Sequence, residues 1–183
     1  MKIIKFLLSA LIFMIMVTAC SQQSTVQEDE QYLESVEVSE FSYVSGFSEE
    51  HLASYERFNQ DKDVQHLREF QADEMLLVYM DLIVKSDTEG IYAITAKTDI
   101  LPELDVFQKE YDEYLHESNI DTVFTYRFFD SITVKETENA DRVLVELTVH
   151  LGANTTTVLY ELIKEDELWK LMVYEQIEYF KSK

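Results

Sequence analysis

Arg142–Leu151 reads RVLVELTVHL, and Thr155–Lys164 reads TTTVLYELIK. Val143, Val145, Leu147, Val149 and Leu151 fall on one side of the first stretch; Val158, Tyr160 and Leu162 fall on one side of the second. A period of two is the mark of a strand with one apolar face. Only Gly152-Ala153-Asn154 separates the two stretches, too little chain for a crossover, so they form an antiparallel hairpin. The alternation extends both ways. Upstream, Thr122–Lys135 carries Phe124, Tyr126, Phe128, Ile132 and Val134 before the polar turn Glu136–Asp141. Downstream, after a turn at Glu165–Leu168, Trp169–Tyr179 carries Trp169, Leu171, Val173, Ile177 and Tyr179. The expected sheet is an antiparallel meander of four strands.

Before Asn119 the period is that of a helix. Ser48 is placed to cap a helix with Glu49 and Glu50 in its first turn and Leu52, Tyr55 and Phe58 along one side. Asp63 caps the next, which carries Val64, Leu67 and Phe70 and then the dense run Met75–Val84. On that run Glu74, Val78, Asp81 and Lys85 share a stripe and read as its wet face. Glu89–Thr95 reads as a short helix. Pro102 marks the start of an amphipathic one over Glu103–Ser118. Helices followed by strands predict an α+β fold, with N-terminal helices packed on a curved four-stranded meander.

The chain has 183 residues, about one domain. It holds 36 acidic and 15 basic residues, a formal charge of −21. Such a surface repels a phosphate backbone and argues against nucleic acid as a partner. Three glycines leave no phosphate-cradling loop, and one cysteine leaves neither a disulfide nor a Cys-based metal site. Asn59-x-Asp61-x-Asp63 begins like a calcium loop, but Val64 and Phe70 stand where glycine and glutamate are needed. No metal or cofactor is implied.

The first twenty residues read as an address. Lys2 and Lys5 precede the apolar run Phe6–Val17, which is about the length of a signal-peptide core and short for a membrane span. Val17-Thr18-Ala19-Cys20 follows. This resembles a bacterial lipoprotein signal, with a valine where leucine is usual. The resemblance implies cleavage before Cys20, lipid attachment at Cys20, and anchoring of the mature chain to the outer face of the cell membrane. Loss of Lys2 and Lys5 brings the mature charge to −23. Residues 20–47 read as an acidic tether, with Ser21–Gln31 as a flexible spacer, and 48–183 as the domain. Tyr32–Val44 fits either an edge strand with a bulge or extended linker.

The order of elements resembles the NTF2-like (SnoaL-like) superfamily. Tyr79–Asp87 is similar to its first helix and Asp-containing turn, Gly90–Ile94 to the following short helix, and Leu168–Leu171 to a strand opened by Trp-Lys. The resemblance implies a cone-shaped α+β domain that often encloses a pocket. Its members include enzymes and non-catalytic binding modules, so the fold leaves function open.

Three ionisable residues are candidates for chemistry. Asp130 shares a strand phase with Phe128 and Ile132; on an apolar face its carboxyl would be desolvated and suited to general-base work. A bulge at Phe128-Phe129 would instead turn it outward. Glu175 shares a phase with Trp169 and Val173 and has the same two readings. His150 lies opposite the apolar face of its strand, toward either a pocket or solvent. Tyr126 and Trp169, with Asp130 and Glu175, are candidate ligand contacts. His51 and His116 stand beside acidic residues and read as solvated surface. The reading that follows is a lipid-anchored binding or accessory module for a small ligand or an envelope protein. The alternative is an enzyme using carboxylate acid/base chemistry in the cone.

Overall fold

The computed structural model describes residues Phe41–Lys183; the signal segment, Cys20 and the tether as far as Glu40 lie outside the described residues. Among the described residues, six α-helices and one sheet build the fold. No described helix is long and apolar enough to cross a membrane.

Helix α1 is Glu49–Asp61, and Ser48 caps it as expected, its hydroxyl accepting the His51 N–H at 3.2 Å. Lys62 ends it in the left-handed conformation, φ 57°. A single 3₁₀ turn, Val64–Leu67, follows; the Asp63 carboxylate accepts the Gln65 N–H at 2.9 Å. Helix α2, Ala72–Val84, is the centre of the core. Its Met75, Leu76, Val78, Tyr79, Met80, Leu82 and Ile83 are buried, and it packs against three of the four strands. The expectation of a wet stripe on α2 is therefore corrected: Val78 is buried and Asp81 is 1% exposed. The cover is tertiary. Tyr43, Val44 and the Tyr55 side chain of α1 are buried in the same core.

Helix α3, Thr88–Ala93, is capped by Asp87, which accepts the Gly90 N–H at 2.9 Å. A side chain at Gly90 would meet Asp87 Oδ2 and Leu82 at 2.8 Å, so the tight α2–α3 junction demands glycine. The amphipathic stretch after Pro102 forms two helices, α4 at Leu104–Tyr114 and α5 at His116–Thr125, divided at Leu115.

The sheet is the expected meander, in the order β1-β2-β3-β4 with every pair antiparallel. Its strands are β1 (Ser131–Glu136), β2 (Arg142–Leu151), β3 (Asn154–Glu165) and β4 (Leu168–Leu171). The free edge of β4 meets the chain after α3: Leu171 N–H bonds the Ile94 carbonyl and Ala96 N–H bonds the Leu171 carbonyl. The β2–β3 loop is Gly152-Ala153, with Gly152 at φ 65°, as a primed two-residue turn requires.

Two expected strands are corrected. Thr122–Thr125 belongs to α5, so the Phe124–Tyr126–Phe128 alternation is not a strand face. Val123 and Tyr126, three apart, are buried, while Phe124 and Phe128, four apart, are exposed. The last strand stops at Leu171, and helix α6 runs over Val173–Lys181, burying Val173, Tyr174 and Ile177. Val173 and Ile177 fit both periods, since four is a multiple of two and close to one helical turn.

The β3–β4 turn places Asp166 and Glu167 at φ 50° and 68°, a two-residue reversal with both residues left-handed. Asn-Gly adopts this geometry at little cost, whereas Glu with its Cβ does not. The double change Asp166→Asn, Glu167→Gly is expected to stabilise the domain by about 1 kcal/mol, read as a higher urea midpoint at an unchanged slope. A lower midpoint would show that these carboxylates contribute more than their backbone strain costs.

Candidate functional site

A layer of buried polar side chains joins the helices to the sheet. Tyr79 on α2, Tyr111 on α4, Asn119 on α5 and Tyr160 on β3 are all buried there. The Asn119 amide N–H groups reach the Tyr79 hydroxyl at 2.7 Å and the Tyr111 hydroxyl at 3.1 Å. Tyr160 packs edge-on to Tyr79, with ring centroids 5.6 Å apart. Burial pushes the Tyr79 and Tyr160 phenols well above their ordinary range and Tyr111 to about 12, so all three stay protonated at neutral pH. Tyr126 closes one end of this layer, its hydroxyl 3.3 Å from Thr156 Oγ1.

The structure brings Asp130 and His150 together, on the outer side of the sheet. Asp130 N–H bonds the Thr148 carbonyl, while Ser131 is the registered partner of Thr148. Asp130 thus lies just before the first residue of β1, outside the strand phase that would have turned it to the apolar face. The Asp130 carboxylate accepts the His150 backbone N–H at 2.6 Å and faces the His150 ring Nδ1 at 2.9 Å. Those hydrogen bonds hold its pKa below the usual carboxylate range. The pair is open to water, with His150 60% and Asp130 50% exposed, so Asp130 is not the desolvated base that its apparent strand phase predicted.

Glu175 does not join them. It sits in the first turn of α6, not on a strand. One Glu175 carboxylate oxygen is buried without a hydrogen-bond partner among the described residues. His51 is not free surface either: its ring stacks on Phe70, 4.5 Å between centroids, and Nδ1 lies 2.7 Å from Glu74.

Trp169 lies at an opening. A cleft of about 420 Å³ runs beneath the β1–β2 turn, bounded by Val134, Glu136, Glu138, Val143 and Trp169. Val134 and Glu136 face Val145 and Val143 across the β1–β2 ladder, and Trp169 shares the inner side with Leu171. The turn is held by its own side chains, with the Thr137 hydroxyl donating to the Arg142 carbonyl at 2.8 Å and the Asn139 carboxamide oxygen accepting the Asp141 N–H at 3.0 Å. This volume suits a small ligand. A smaller cleft of about 280 Å³ lies between Tyr92, Thr95, Lys97, Thr98 and Leu101.

Three features had no clear signal in the chain. Lys170 is 5% exposed; its ammonium bonds the Ala93 carbonyl at 3.2 Å, and burial lowers its pKa. Asp81 is a buried carboxylate with four donors around it. Phe124 and Phe128 stand out of the surface, with the Arg127 guanidinium 4.7 Å from the Phe41 ring and 5.3 Å from that of Phe128. Among the described residues no group of acidic, histidine or cysteine side chains has the arrangement of a metal site.

Together these elements make an α+β domain with a buried tyrosine–asparagine layer, an exposed carboxylate–imidazole pair and a cleft at one end of the sheet. Comparison with protein-family models, with curated proteins and with solved structures finds no match for the chain.

Proposed function

We propose that the chain is a membrane-anchored extracytoplasmic lipoprotein whose NTF2-like domain is a non-catalytic binding or accessory module. One observation carries the non-catalytic part: tyrosines and an asparagine that bond one another occupy the place where a catalytic pocket would lie. Acid/base catalysis in such a cone needs a desolvated carboxylate beside room for substrate. Asp130 is open to water, and Glu175, with one carboxylate oxygen buried, stands on helix α6 and lines neither described cleft. The NTF2-like reading is supported by helices that precede an antiparallel meander and cover one of its faces. The address is supported by Lys2, Lys5, the apolar run to Val17 and the lone Cys20.

Cys20→Ser tests the anchor. The protein is expected to leave the membrane fraction and to lose incorporation of a labelled fatty acid, because Cys20 is the sole cysteine of the chain. Retention of the variant in the membrane, with its leader uncut, would overturn the reading. The enzyme reading has one observation in its favour, the 2.9 Å contact between Asp130 and His150. It would require a substrate that reacts at an open surface.

A further inference from the structure

We infer that the cleft under the β1–β2 turn is a binding site for a small organic ammonium ion, with Trp169 as its aromatic wall and Glu136 and Glu138 as its counter-charges. The inference rests on the binding-module reading and names the ligand class for it. Arg142 also lines the cleft, and its guanidinium is paired with Glu161 at 2.5 Å; nearby, Lys135 pairs with Glu146 and Lys164 with Glu167 at 3.5 Å. Glu136 and Glu138 form no ion pair among the described residues. The uncompensated charge at this mouth is therefore negative.

The floor is apolar. Val134 and Val143 line it beside the indole, and Val134 is a large hydrophobe left open to water on this side of β1. An apolar floor, an aromatic wall and a negative rim fit a cation that carries methyl or methylene groups. A fully hydrated metal ion would gain nothing from the valines or the ring. The indole already attracts a cation: Lys164 Nζ stands over it at 5.6 Å from the centroid. That distance is near the outer limit of a cation–π contact. Lys164 also leans toward Glu167, so it holds the ring loosely and competes with a ligand. The charge of the whole chain, −21, favours the same sign of ligand.

Trp169 is the sole tryptophan, so emission excited at the red edge of the indole band, where tyrosine does not absorb, reports on this cleft. The probes are choline and 3,3-dimethylbutan-1-ol, its uncharged carbon isostere. Choline is expected to change the emission saturably, at least about tenfold more tightly than the alcohol. Added salt should weaken it. Glu136→Gln with Glu138→Gln should abolish that preference while leaving the circular dichroism spectrum intact. Lys164→Met should tighten choline binding about threefold by removing the competing ammonium. Equal binding of the two probes would overturn the ligand class while leaving the cleft as a binding site. Absence of saturable binding by either probe to folded protein would overturn the site itself. Neither outcome touches the membrane anchor, which the Cys20→Ser variant tests separately.

Discussion

Asp81→Ala is expected to destabilise the domain by about 4 kcal/mol, the largest single loss on the α2 face. The Asp81 carboxylate is 1% exposed, and its charge is met from four sides. Ser42 Oγ donates to it at 2.7 Å, the Tyr43 backbone N–H at 3.1 Å and the Tyr55 hydroxyl at 2.9 Å. Lys85 Nζ lies at 2.8 Å, one helical turn on, and caps the Tyr55 ring at 4.7 Å. Asp81 thus fastens three pieces, the Ser42–Tyr43 entry segment, α1 and α2. Truncation leaves a buried N–H and a buried phenol without an acceptor, each costing about 1–3 kcal/mol.

Lys85→Met should cost less than Asp81→Ala, because the Asp81 carboxylate loses its counter-charge but keeps the Ser42, Tyr43 and Tyr55 hydrogen bonds. Chemical denaturation of the two variants checks this order. A larger loss from Lys85→Met than from Asp81→Ala would mean that the ion pair, and not the hydrogen bonds, holds the entry segment. Proteolysis adds an independent readout, since Asp81→Ala should expose the chain near Tyr43 to cleavage under native conditions.

Asn119→Leu is expected to cost about 3 kcal/mol. The two shapes are similar, but leucine leaves the Tyr79 and Tyr111 hydroxyls buried and without the amide that joins them. Removing both hydroxyls as well, with Tyr79→Phe and Tyr111→Phe in the same chain, should recover at least half of the loss. An apolar set of the same shape has no polar group left to satisfy. Thermal or urea unfolding of the single, double and triple variants measures the coupling. Additive losses would show that water reaches the layer and that the interior is not sealed. The same series bears on function, because a ligand pocket between the helices and the sheet would need these side chains to move aside.

Much of the architecture was legible in the chain. Val143–Leu151 and Val158–Leu162 alternate so cleanly that the central hairpin could take no other register without turning an apolar face to water. Ser48 and Asp63 were legible because a cap is a local hydrogen bond between near neighbours. The ends of the meander were not. Phe124–Phe128 and Trp169–Tyr179 contain apolar residues two and four apart, and that spacing serves a strand and a helix equally. Packing settled them: Val123 and Tyr126 go inward on α5, and Val173, Tyr174 and Ile177 on α6.

The candidate site was legible only in its parts. Asp130, His150, Tyr126, Trp169 and Glu175 could be named from residue type and phase, but a phase shifts by one wherever a bulge or a helix end intervenes. The start of β1 at Ser131 left Asp130 against His150, and the onset of α6 put Glu175 on a helix. The uncompensated charge at Glu136 and Glu138 depends on which cations have found other partners, a property of space and not of spacing. Composition, periodicity and capping by themselves determined the negative charge, the order of helices before strands and the central hairpin, because each depends on residue type or near neighbours. Only the tertiary structure decided which carboxylate is buried, which is paired and which is left facing a cleft, because burial and pairing join residues far apart in the chain.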